Sequence, residues 1–80
     1  IFLFGRCNIL HYMKIYYGVP DNCIDVTDIC LDKLTKNNYI FIPTGDCNRT
    51  NIFTDPLPHV NKCIIIILNM NVDIIVMIFF

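Results

Sequence analysis

Eighty residues, 55% of them hydrophobic and 16% charged, make one small domain with an unusually apolar composition. A formal charge of −1 and a sequence pI near 6.0 exclude general attraction to nucleic acid or to an anionic membrane surface. A chain this short buries only roughly 60–65% of its unfolded surface, so the mean hydropathy of +0.54 serves a thin core and carries an aggregation risk.

Residues 1–12 read as an N-terminal extension or a fragment boundary, and residues 13–80 as the domain. The opening "IFLF" is four apolar residues ahead of Gly5 and Arg6, too short a run for a secretory signal, and Met13 directly precedes the first convincing strand. "MKIYY", 13–17, alternates Ile15 and Tyr17 against Lys14 and Tyr16, as a strand does. Val19-Pro20-Asp21-Asn22 is a turn with proline at its second position, and "CIDV", 23–26, returns to complete a hairpin.

At Thr27 the period changes. Ile29, Cys30, Leu31 and Leu34 recur at helical spacing, with Thr27 as N-cap, Asp28 in the first turn and Lys33 and Lys36 in the last. The spacing predicts one short helix from Asp28 to Lys36, stopped by Asn37-Asn38. "YIFI", 39–42, is apolar on both sides and belongs in the centre of a sheet; Pro43 ends it. Residues 44–60 then read as a long polar loop, a feature more often functional than idle in so small a domain.

Within that loop Pro56 and Pro58 hold Asp55 and Leu57 out of the helical region, so the chain stays extended and turns a corner. Phe53 and Leu57 can plug the edge of the core while Asp55 bonds neighbouring backbone N–H groups. After Lys62 come four isoleucines, which demand a strand covered on both faces. The 63–80 stretch is long enough to span a lipid core, but Asn69, Asn71 and Asp73 fall at its middle, where one Asp costs about 2.5–3.5 kcal/mol. Two strands joined at "NMNV" explain it better than a membrane segment. The expected architecture is α+β, mainly antiparallel: a small β-sheet or sandwich with one short helix.

Candidate chemistry is sparse. Five cysteines, an odd number without a C-x-x-C pair, point to reduced thiols in a cytoplasmic setting, and Asn48-Arg49-Thr50 without a secretory signal is a chance sequon. Cys47, His59 and Asp55 supply the residue types of a thiol nucleophile, yet lack any local signature of one. Cys7 and His11 with Cys23 and Cys30 do not make two tight zinc-ligand pairs. Asp46, Arg49 and Asp55 place opposite charges on the long loop, where Arg49 suits a carboxylate or phosphate ligand, or else simply holds the loop. The uncharged "IIVMIFF" of 74–80, as an edge strand, invites strand addition from another chain.

Four signals recur in one order: "YG" at 17–18, "DVT" at 25–27, "FTDP" at 53–56, and Lys62 before an apolar strand. The set resembles a YG/DVT/FxDP domain family found in short repetitive-family proteins of giant DNA viruses and at the C-terminus of certain DnaJ-type co-chaperones. "IDVTDICL" and "PTGDCNRTNIFTDP" carry the viral likeness, and the whole covers about residues 14–68. His59-Val60 stand where that family has a glycine-containing step. The resemblance implies a small β-rich accessory module without catalytic residues. The expectation is therefore a non-catalytic interaction module, with no cofactor or metal. Its partner is another protein or a second copy, and its place is the cytoplasm, or the host cytoplasm or virion if viral. The alternatives are a truncated or decayed family member and, further off, a small cysteine-dependent enzyme.

Overall fold

A computed structural model describes residues 2–4, 13–37, 39–70 and 73–80. In chain order the elements are β1 (Phe2–Phe4), β2 (Met13–Val19), β3 (Asn22–Asp25), α1 (Thr27–Lys33), β4 (Thr35–Lys36), β5 (Tyr39–Phe41), α2 (Asp46–Phe53), β6 (Cys63–Met70) and β7 (Asp73–Phe79). They form a four-stranded antiparallel sheet in the order β3-β2-β6-β7 and a small sheet in the order β1-β5-β4, so the fold is α+β as expected.

The hairpin at Pro20-Asp21 closes as the turn residues demand, with Val19 opposite Asn22. Its close approach explains Gly18: at φ 146° a Cβ there would lie 2.4 Å from the Asn22 carbonyl oxygen. The isoleucine run becomes β6, pairing Ile66 with Ile15 and Ile64 with Tyr17 on one side and Ile66 with Met77 on the other. Ile64 and Ile66 are fully buried on the inner face, where Met13, Ile15, Tyr17, Val26, Cys30, Ile40, Ile42 and Phe53 complete the core.

Several expectations are corrected. The helix is Thr27–Lys33 rather than Asp28–Lys36, and Thr35–Lys36 pair with β5 instead, because the Thr35 hydroxyl satisfies the Cys30 carbonyl and the Phe41 N–H takes the Leu34 carbonyl. Asn37 is left-handed, at φ 54°, but in the turn from β4 to β5 rather than at a helix stop. Thr27 does not cap: the Asp25 carboxylate accepts the Thr27 N–H at 2.9 Å, while the Thr27 hydroxyl accepts the Ile15 N–H at 2.9 Å and ties α1 to β2.

The long loop of 44–60 contains α2, which Gly45 enters at φ 85°, so a second helix joins the one expected. Finally, "YIFI" is the middle strand of its sheet, yet only Ile40 of β5 is buried; Tyr39 and Phe41 face outward. Phe2–Phe4 of the segment expected to be an extension pair with β5.

Among the described residues no helix is long and apolar enough to cross a membrane. After Pro56 the chain bends, and Pro58 and His59 form a turn in which the Val60 N–H donates to the Leu57 carbonyl at 3.3 Å. The segment between α2 and β6 stays irregular, with Thr54 and His59 at positive φ, and the Asp55 carboxylate accepts the Leu57 N–H at 3.1 Å. Phe53 is buried and Leu57 partly so.

Candidate functional site

The polar groups of the molecule converge where α2, the proline corner and the start of β6 meet. Lys62 ends the corner one residue before β6, and its side chain is 1% exposed. Its ammonium donates to Asp46 Oδ2 at 2.9 Å, to the Leu57 carbonyl at 3.1 Å and to the Val60 carbonyl at 2.7 Å, and lies 3.0 Å from Asp55 Oδ1. Four acceptors surround three hydrogens, so the cation is saturated. Asp46, at the first residue of α2, also accepts the Tyr17 hydroxyl, which in turn shares a hydrogen bond of 2.8 Å with the Thr50 hydroxyl one turn further on. The Tyr17 ring packs on Phe53, with centroids 5.4 Å apart, and Lys62 Nζ sits 5.8 Å from the centre of the Tyr17 ring.

The protonation states follow from these contacts. Burial pushes the Asp46 carboxyl up, but the hydrogen bonds from Tyr17 and Lys62 outweigh it and hold the group below the usual carboxylate range. Asp46 raises Lys62 above its ordinary value, with Asp55 assisting against desolvation. Burial, reinforced by the bond to Asp46, raises the Tyr17 phenol. The network therefore holds a cationic Lys62, an ionised Asp46 and a neutral Tyr17 phenol near neutral pH.

Asp46 and Asp55 are thus brought together, on one lysine. Arg49 is not with them. It faces inward from α2, 2% exposed, with Nε donating to the Pro43 carbonyl at 2.8 Å and Nη1 to the Phe79 carbonyl at 3.3 Å. The guanidinium clamps the end of β7 to the start of α2 and is not offered to solvent. Sequence reasoning missed Lys62, Tyr17 and Thr50 as members of the site. The one available signal was a lysine placed directly against an isoleucine run, where a charge must either reach water or find partners.

A cleft of about 350 Å³ opens beside this network, and Cys47, Asp55 and His59 all line it. Among the described residues Asp55 spends its carboxylate on Lys62 and the Leu57 N–H. Of the proposed metal set, Cys7 and His11 lie outside the described residues. Cys30 is buried, its thiol pushed up to about 12 by burial and, secondarily, by the charge of Asp25. No group of three or more His, Cys, Asp or Glu among the described residues is placed to hold a metal ion. Asn48 stands on α2 with its amide donating to the Thr44 carbonyl, and Thr50 is engaged with Tyr17.

The second distinctive region is the outer face and free edge of the large sheet. Register places Ile65, Ile67, Ile74, Val76 and Ile78 on the face opposite the core, together with Lys14, Tyr16 and Asp25. The charged pair, Lys14 and Asp25 at 3.7 Å, belongs to the β3 side, and the β7 side is uncharged, with Asn69 opposite Ile74 its one polar residue among those described. Ile74 is 69% exposed and Val76 56%.

In comparisons with known proteins, no family model, no curated protein and no solved structure matches this chain.

Proposed function

We propose that the chain is a non-catalytic interaction module that takes an extended, uncharged polypeptide segment as an added strand on β7. The observation that carries this reading is the contrast between the two edges of one sheet. β3 is four residues long and bears Asp25, the usual protections of an exposed edge. β7 is seven residues long, has no charge after Asp73, no proline, and an apolar outer face that continues onto Ile65 and Ile67 of β6. Main-chain bonds along such an edge supply affinity, and alternate side chains supply selectivity.

The charged loop supports the reading by elimination, because Asp46, Asp55 and Lys62 satisfy one another and Arg49 is buried. The likeness to the YG/DVT/FxDP family is proposed on the same footing. Tyr17, Gly18, Asp25, Thr27, Asp46, Phe53, Asp55 and Lys62 are joints of this fold, which is what a fold-defining motif set would be. The free thiols of Cys23, Cys30, Cys47 and Cys63 suit a reducing compartment such as the cytoplasm.

The test is titration of isotopically labelled protein with neutral, strand-forming peptides that alternate Ile or Val with Thr. Amide shifts confined to β7 and the adjacent half of β6, lost in Val76→Lys, are expected. Shifts centred on the cleft beside Lys62, or none at any peptide concentration, would overturn the proposal.

A further inference from the structure

The strand that best fits β7 is β7 itself. We infer that the chain self-associates through an antiparallel β7–β7 pairing about a two-fold axis at Val76, joining two four-stranded sheets into one of eight; this rests on the docking reading above. A two-fold axis between antiparallel edges stands perpendicular to the sheet, so it pairs residues from the same face and keeps both outer faces on one side. Centring the axis on Val76 overlaps all seven residues of β7. On the outer face it sets Ile74 opposite Ile78 of the second copy and Val76 opposite Val76; on the inner face Ile75 meets Met77.

Each of these cross-strand pairs is aliphatic, and most are β-branched, the kind that stabilises neighbouring strands. No charge opposes a like charge between residues 74 and 78, and each copy contributes a net charge of only −1. The edge is also held ready: Met77 and Phe79 pack against the core, and Arg49 fastens the Phe79 carbonyl.

The area sets the strength. Ile74, Ile75, Val76, Ile78 and Phe80, between 43% and 94% exposed, offer on the order of 400 Å² of apolar surface per copy, about half the 800 Å² a standard interface takes from each partner. The dimer is therefore a weak one, populated in a concentration-dependent way. Asp73, the one charged residue of β7, comes opposite Phe79 of the second copy at the ends of the overlap, away from the axis.

Sedimentation of the whole chain from micromolar to millimolar concentration tests this. A monomer–dimer equilibrium is expected. Val76→Lys places two lysines face to face at the axis and should weaken dimerisation by at least about tenfold. Val76→Glu should do the same, while an equimolar mixture of the two variants should regain dimer, since unlike charges then meet. Circular dichroism of each variant checks that both are folded.

A wild-type chain monomeric at every concentration overturns the inference. If that monomer still binds neutral strand peptides at β7, the docking reading stands without it. A dimer undiminished in Val76→Lys, or a mixture of folded variants that stays monomeric, also overturns the pairing.

Discussion

On the inner side of the large sheet every buried polar group is answered. Lys62 has four acceptors, Asp46 has two donors, Thr27 bonds both the N–H and the carbonyl of Ile15, and no buried side-chain nitrogen or oxygen among the described residues lacks a partner. On the outer side, Ile74, Val76 and Ile78 are exposed, Ile67 is partly so and Ile65 is buried, and among the described residues β7 is the edge strand of the sheet. The residues richest in chemistry are spent on building the fold, whereas the plainest residues face the surroundings. In a small domain polar side chains can be the structural parts, because too little apolar surface is buried to hold the corners alone.

The sharpest way to break that contrast is to remove the cation. Lys62→Met keeps the length of the side chain but leaves Asp46 and Asp55 facing each other and two carbonyls without a donor. The melting temperature should fall by about 10 °C or more, or the chain should fail to fold. Val76→Lys, on the outer face, should move it by less than about 3 °C. Equal shifts from the two substitutions would mean that the inner network is not the structural one.

A smaller effect separates close packing from backbone preference. Gly18→Ala meets the Asn22 carbonyl oxygen at 2.4 Å in a backbone conformation hostile to a side chain, and should cost about 3 kcal/mol. Gly45→Ala, at φ 85° and with its nearest atom 3.6 Å away, should cost about 1 kcal/mol. Chemical unfolding of both proteins measures the difference. A Gly18→Ala protein no less stable than Gly45→Ala would show that the hairpin can relax.

Much of the frame was legible because it rests on strong local signals. Pro20-Asp21 between two alternating segments gives the β2–β3 hairpin, and the isoleucine and valine runs give β6 and β7. The loop of 44–60 was misread because the inward positions of α2 are Arg49 and Phe53, four apart, and an arginine does not register as an apolar periodicity. The same blindness hid Lys62: hydrophobic patterning sends lysines to solvent, and only the three-dimensional meeting of Asp46 and Asp55 makes its burial affordable. Of the expected ligand set, Asp46 and Asp55 meet on Lys62 and Arg49 stands apart from both, since its partners are carbonyls that carry no sequence signature.

The smallest expected effect lies in the response to pH. Asp46 is held below its ordinary value of 3.8, so its contribution to stability is complete above that pH and is lost as the pH falls through the depressed value. Lys62 is held above its ordinary 10.5 and Tyr17 above its ordinary 10.0, so their contributions are complete below those values and are lost on the alkaline side. Stability from the network should therefore be flat between pH 5 and pH 9 and decline outside a window bounded by roughly pH 4 and pH 10. Asp46→Asn, which keeps an acceptor for Tyr17 and Lys62 but cannot titrate, should be less stable at neutral pH and show a shallower acid limb. Urea midpoints measured across the pH range would test this, with Val76→Lys as a reference expected to follow the wild-type profile in parallel. If Asp46→Asn instead keeps the full acid slope, the acid sensitivity arises from other carboxylates and Asp46 is less tightly bound to the inner network than its contacts imply.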